Sequence, residues 1–444
     1  MRQKRKINKF IPFLLFTLLL SSIVTNPLTI EAATFEVNAE SAIIVDADTG
    51  KILYAKNPNI ALPPASMTKM MTEYLVWEAI ESGQISWETT TQISDYPYQL
   101  SANPAFSGIG LRQNVQYTVR ELYEAMAINS DNGTTIALAE LISGTEGKFV
   151  ELMNQKGEEM GLPDFRFVNS TGLDNAHLGD NYPEGTDPNG VNLLSAESAA
   201  LLAYHLINDY PGALEISKIP SAVFDEQVIT NWNWMLPHEG NNFKQFYYEG
   251  VDGLKTGYTE LAGYCFTATA ERNGKRIIAV VMKTNSYEER FQDTRKLLDY
   301  GFSNFNKTPL FAAGDQIEGE SVLKVSKGKE KEVEVALADG FEIVIRNGEE
   351  DLYDIKYHID ESLLNEKGEL TAPIEKGQKV GQVELVYTGE NDYGFIIPTD
   401  SQYVDLVTTD SVEKSNWFMI TLRSIGDFFS NLFSTVSEKI KGLF

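Results

Sequence analysis

The chain has 444 residues, with 37 Lys plus Arg against 63 Asp plus Glu and a net charge of −26 at neutral pH, which excludes the basic footprint of a nucleic-acid binder. Its 43% hydrophobic and 11% aromatic content excludes disorder and collagen-like repeats, and its length suits two or three domains. A lone cysteine, Cys265, beside four His allows no intramolecular disulfide and no ordinary structural zinc site.

Arg2, Lys4, Arg5, Lys6 and Lys9 precede an apolar run over 10–24, a turn at Asn26-Pro27 and small residues at Ala32-Ala33. This is the pattern of a secretory signal over 1–33, and its apolar core falls short of the roughly 20 residues that span a bilayer. Cleavage near Ala32 or Ala33 would put the mature chain outside the cytoplasm.

Residues 34–305 mix strand and helix signals. A hairpin is predicted over 42–46 and 52–56, around Asp48-Thr49-Gly50. Met67, Met70, Met71, Tyr74 and Leu75 share one face of a helix that follows Pro63-Pro64, and two helical runs over 122–128 and 134–141 flank a polar break. A second hairpin is predicted over 264–270 and 277–282, with Asn273-Gly274 supplying the positive φ angles of a tight turn. The expected domain is α+β: a sheet built from both ends of the segment, with helices inserted between them.

Residues 306–410 are sharply acidic, with 10 bases against 23 acids. Val333, Val335 and Leu337 alternate with Glu332 and Glu334, and further runs at 341–345, 355–359 and 380–387 suggest a small β-sandwich. It contains no catalytic cluster and reads as a spacer or interaction module. In 411–444, Phe418, Leu422, Ile425, Phe429, Leu432, Val436, Ile440 and Leu443 recur at helical spacing, an amphipathic pattern. Arg423, Asp427, Glu438, Lys439 and Lys441 interrupt it too often for a spanning helix. An interfacial helix with Trp417 at headgroup level is expected, the alternative being a helix packed on its own domain.

Three short motifs carry chemistry. Ser66-Met67-Thr68-Lys69 opens a helix, which puts the hydroxyl and the amine on one face within reach of each other. A serine becomes a nucleophile when a base takes its proton, and a lysine is that base only if burial or nearby cations keep it neutral. Ser-x-x-Lys alone is weak; it recurs at Ser321, Ser326 and Ser411, all in the acidic domain or its tail. Ser130-Asp131-Asn132 sits at the break between two helical runs, and Ser101-Ala102-Asn103 has the same form. Lys255-Thr256-Gly257 occurs once, after Val251-Asp252-Gly253-Leu254, and could by itself be an ordinary strand-entry turn.

Together and in this order the three motifs resemble those of the penicillin-recognising serine hydrolases. Within that superfamily the chain looks like a low-molecular-mass penicillin-binding protein, a serine-type D-Ala-D-Ala carboxypeptidase. The likeness extends to 46–54, Pro64-Ala65-Ser66, 169–173, 251–257 and Ala372-Pro373-Ile374 with Gly377, and to the order of signal, catalytic domain, β-rich domain and amphipathic tail.

The resemblance implies a β-lactamase/DD-peptidase-like catalytic fold, an antiparallel sheet with helices on both sides. It implies a peptidoglycan stem pentapeptide as substrate, covalent inhibition by β-lactams, membrane association through the tail, and no metal or organic cofactor. Ser66 would attack the carbonyl between the terminal D-alanines, with Lys69 as its base. Ser130, backed by Lys255, would pass a proton to the departing amine. Lys255 and Thr256 would hold the terminal carboxylate, Asn132 the peptide amide, and Gly257 would complete the strand motif. The backbone N–H groups of Ser66 and Tyr258 would form the oxyanion hole.

Tyr258 stands where many relatives carry His, and Glu197 where Asp is usual, which bears on substrate preference and pH optimum. A β-lactamase would need a deacylating Glu, and 160–173 contains none. A cross-linking transpeptidase usually keeps an N-terminal anchor and longer accessory regions. A non-catalytic wall-binding protein would have no need of Ser66 and Lys69. Cys265, between Tyr264 and Phe266 on a predicted strand, reads as a buried, inert thiol.

Overall fold

The structure is a computed structural model that describes residues 35–240, 243–390, 392–397 and 402–416. The expected signal, and the expected amphipathic tail from residue 417 onward, lie outside the described residues. Among the described residues no helix is long and apolar enough to cross a membrane.

Strand β1 (Ser41–Asp46) is buried at every position, as expected of a strand covered on both faces. It forms a hairpin with β2 (Ile52–Lys56), Ile44 opposite Tyr54, with a bulge before Val45. The Asp46 carboxylate ties the turn by accepting from the N–H and hydroxyl of Thr49 at 2.9 and 2.7 Å. Strands β3 (Val251–Thr259), β4 (Gly263–Arg272) and β5 (Lys275–Thr284) arrive far downstream and complete an antiparallel sheet of order β2-β1-β5-β4-β3. Ile43 of β1 lies opposite Val280 of β5. Asn273 and Gly274 turn β4 into β5 with φ of 53° and 75°, the geometry that Asn-Gly favours.

Between the two parts of the sheet run α1 (Lys69–Glu81), α2 (Val119–Glu124), α3 (Asn132–Ser143), α4 (Glu146–Glu159) and α5 (Ala196–Asp209); α6 (Tyr287–Asn304) follows β5. One face of the sheet packs Ile43, Val45, Val280 and Met282 against Met67 just before α1, Met70 and Met71 of α1, and Leu202 and Leu206 of α5. The other face meets α6. Gly301 permits that approach, since a Cβ there would lie 2.7 Å from Ile277. Val76, Leu122, Tyr123, Met126 and Leu138 form a second core within the helical insertion. The run expected over 122–128 is not one uniform helix: α2 ends at Glu124, and a π-helical turn, Ala125–Asn129, follows it.

The C-terminal part comprises β6 (Phe305–Phe311), β7 (Val322–Ser326), β8 (Glu332–Leu337), β9 (Phe341–Arg346), β10 (Tyr353–Ile359), β11 (Leu370–Thr371), β12 (Lys379–Tyr387) and β13 (Tyr403–Thr408). Six strands form a sheet of order β10-β12-β13-β8-β7-β11, and β6 pairs with β9. The two layers share a core of Val335, Phe341, Ile343, Val383 and Leu406. A short stretch of this domain is stitched to the first hairpin: the Ile52 N–H donates to the Gly394 carbonyl and the Ile396 N–H to the Gly50 carbonyl, both at 2.9 Å. Ile396 thereby enters the core around the catalytic sheet. The Lys51 ammonium donates to the Tyr353 hydroxyl at 2.7 Å.

Candidate active site

Ser66 lies on a 3-10 turn, Ala65–Thr68, that runs into α1. Two backbone segments clasp the turn. A Cβ on Gly257 of β3 would lie 2.4 Å from the Pro64 carbonyl oxygen, and one on Gly172 would lie 1.9 Å from that of Ala65. Glycine is required at both positions for close approach alone.

Lys69, fully buried, puts Nζ 2.9 Å from Ser66 Oγ, 2.8 Å from Asn132 Oδ1 and 2.8 Å from the Thr171 carbonyl oxygen. The last two are acceptors only. The Asn132 amide is held that way round because its NH2 donates to the Ser107 carbonyl at 3.0 Å. A neutral amine satisfies the set by donating twice and turning its lone pair to the serine hydroxyl. Burial, then the charge of Lys255, holds the amine well below the usual lysine range, against the opposing pull of Asp131, Glu73 and Glu146. The Thr171 carbonyl owes its direction to Asn169, whose Oδ1 accepts from the Thr171 and Gly172 N–H groups at 3.2 and 2.7 Å.

Ser130 ends the π-helical turn in a left-handed conformation, φ 63°, a strained setting of the kind found at functional sites. Asp131, the middle residue of its motif, caps α3: its carboxylate accepts from the N–H groups of Thr134 and Ile109 at 2.5 and 2.8 Å. Burial pushes that carboxyl up to about 6. Strand β3 is a sheet edge, so part of its backbone faces the cleft rather than a neighbouring strand. From it come buried Lys255 and Thr256. Burial and the nearby Arg290 lower the Lys255 ammonium, and Glu73 opposes them. Tyr258 is 44% exposed and stacks on Tyr264 at 4.4 Å between ring centroids.

These residues meet in one cleft of about 750 Å³, lined by Ser66, Ser130, Asn132, Thr256 and Tyr258 with Trp232 and Arg290. The motifs did not reveal Arg290. It is 1% exposed; its Nη1 donates to the carbonyls of Gly257 and Cys265, both at 3.3 Å, while Nε and Nη2 have no partner among the described residues. Its signal was a cation in register with Thr294, Leu297 and Gly301 on the buried face of α6. Glu73 and the Thr171 carbonyl were likewise unmarked. Of the other Ser-x-x-Lys matches, Ser326 bonds within the β-rich domain, to the Leu370 carbonyl at 3.1 Å. Cys265 is fully buried and its thiol is pushed up to about 11 by burial. No group of three or more His, Cys, Asp or Glu among the described residues is arranged to hold a metal ion.

A sheet covered on both faces, with a serine and a buried lysine at the head of its central helix, defines a serine hydrolase. Residues 27–286 match the family model described as D-alanyl-D-alanine carboxypeptidase, and 305–414 match the penicillin-binding protein 5 C-terminal domain. The D-alanyl-D-alanine carboxypeptidase DacF of Bacillus subtilis is 32% identical over 391 residues, 88% of this chain and 90% of that one. A solved peptidoglycan synthesis regulatory factor (PBP3) from Streptococcus pneumoniae superposes with a TM-score of 0.66 at 38% identity, over 85% of this chain and all of that one. Penicillin-binding protein D2 from Listeria monocytogenes in its cefotaxime-bound form does so at 0.51 and 30% identity, over 60% of this chain and 98% of that one. The chain therefore belongs to the D-alanyl-D-alanine carboxypeptidase family of serine hydrolases.

Proposed function

We propose that the protein releases the terminal D-alanine from peptidoglycan stem pentapeptides through an acyl-enzyme on Ser66, and so limits cross-linking. The observation that carries this is the setting of Lys69 Nζ, where two fixed acceptors and a serine hydroxyl suit a neutral amine that accepts the Ser66 proton. Ser66 Oγ bonds to the scissile carbonyl carbon as Lys69 takes the proton. The oxyanion is held by the Ser66 and Tyr258 N–H groups. The C–N bond then breaks, the leaving amine takes a proton through Ser130, and water hydrolyses the ester. Lys255 and Thr256 hold the substrate carboxylate, the buried Arg290 guanidinium adds positive charge behind them, and Asn132 grips the peptide amide.

β-Lactams, which mimic the D-Ala-D-Ala terminus, would acylate the same serine, as the cefotaxime-bound relative suggests. Export by the N-terminal segment and peripheral membrane attachment by the C-terminal one complete the reading, with the β-rich domain as spacer. The test is D-alanine release from a synthetic pentapeptide, together with intact mass after penicillin treatment, for the wild type and Ser66→Ala. Release and a stable adduct in the wild type alone are expected. No release by folded wild type would overturn the proposal; rapid loss of the adduct would indicate a β-lactamase, and peptide joining without release a transpeptidase.

A further inference from the structure

Five carboxylates are buried among the described residues: Asp46, Glu73, Asp131, Glu146 and Asp293. Four of them hold the fold by accepting from backbone N–H groups: Asp46 from Thr49, Asp131 from Ile109 and Thr134, Glu146 from Ser170, and Asp293 from Asn38 and Ala39. No such bond is present for Glu73. Its carboxylate takes one hydrogen bond, from the Tyr123 hydroxyl at 3.2 Å, and that hydroxyl accepts from Trp77 Nε1 at 2.9 Å. A buried carboxylate that caps nothing and ties no turn is an expensive residue unless another charge requires it.

The neighbouring charges identify that requirement. Glu73 lies one turn after Lys69 on the inner face of α1, so the two side chains are stacked neighbours. Strand β3 packs against α1, and its buried Lys255 has an ammonium that, among the described residues, donates only to the neighbouring Thr256 carbonyl, at 3.3 Å. Glu73 is the foremost influence favouring the Lys255 ammonium, and Lys255 the foremost favouring the Glu73 carboxylate. From α2 the group facing Glu73 is Tyr123; Arg290 on α6 opposes Lys255, and Asp131 and Glu146 add to the field at Lys69.

We infer that Glu73 is a positioning residue of the active site, the buried counter-charge that keeps Lys255 cationic while Lys69, its helical neighbour, works as the neutral base. This rests on the proposed Ser66 chemistry, in which Lys69 must be free of its proton and Lys255 must keep its own. Without the carboxylate, Lys255 gives up its proton at lower pH, and the alkaline limb of acylation moves down. The acid limb moves less, because burial raises the wild-type Glu73 carboxyl above the usual carboxylate range, so on the acid side it carries less charge to lose.

The test measures second-order acylation by a fluorescent penicillin across the pH range for the full-length wild type, Glu73→Gln, Glu73→Leu and Glu73→Asp. The two neutral variants should lose the alkaline side of the profile by roughly one pH unit, a size typical of one buried charge neighbour, and Glu73→Asp should restore it. Glu73→Leu fills the site without a polar group, so it keeps the test available should the glutamine variant fold poorly. A lower but unmoved profile in the neutral variants, or an equal displacement in Glu73→Asp, would overturn the inference. Failure of the wild type itself to acylate would refute the Ser66 reading instead, a separate outcome.

Discussion

Replacing Gly172 by alanine isolates the effect of backbone shape on the nucleophile. The residue carries no functional group, yet its φ is +88° and an added Cβ would stand 1.9 Å from the Ala65 carbonyl oxygen. The left-handed backbone alone should cost about 1 kcal/mol. The overlap adds a displacement: the contact must open by roughly 1 Å to become tolerable, and the turn that gives way carries Ser66. A reacting atom moved by about that distance loses on the order of 100-fold in rate, about 2.7 kcal/mol of barrier. Gly179 is the control, with φ +61° and nothing within 4 Å of an added Cβ. Both variants should melt a few degrees below the wild type, and only Gly172→Ala should lose acylation, measured as the rate of fluorescent-penicillin labelling. Gly172→Ala that labels at the wild-type rate would refute the claim that this contact positions the serine.

Lys69→Arg puts a permanent cation where a neutral base is needed, so labelling should fall by about 100- to 10,000-fold, as for loss of a general base, with circular dichroism checking the fold. Cys265 should stay unlabelled by a thiol reagent at pH 8 in the native protein and react once urea unfolds it, since burial keeps the thiol protonated. Ile396→Ala should lower the stability of the catalytic part by about 2–4 kcal/mol, the range for a truncated core side chain, read from urea midpoints. Tyr258→Ala should leave labelling within about threefold, because the proposed oxyanion donor is backbone N–H and the exposed ring supplies none of it.

What the sequence disclosed is what local rules govern. Asn273-Gly274 makes its turn through two adjacent φ angles, and the Ser66 and Lys69 side chains meet because a helical turn brings them together. Asn132 and Lys255 were marked only by motifs, and their distance from Lys69 is a product of the folded sheet. Arg290 showed only as a cation in register with the buried face of α6, which no motif marks, and within 169–173 nothing singled out the Thr171 carbonyl or Gly172: a carbonyl or a missing Cβ has no residue type that announces it. The left-handed Ser130 was hidden for a similar reason, since a π-helical turn differs from an α-helix in backbone register rather than composition. The segment 394–397 reads as loop because the strand it pairs with lies in another domain.

The pairing of Ile43 with Val280 has a temporal consequence. During synthesis β1 emerges early and waits through the whole helical insertion for β5, its neighbour in the sheet. Closing so distant a contact is slow and leaves apolar strand surface unpaired meanwhile. Gly257 and the cation on α6 also arrive late, so the nucleophile can be assembled only after nearly all of the catalytic chain has been made. Until then the chain is chemically silent, and its reactivity appears in one late step of folding.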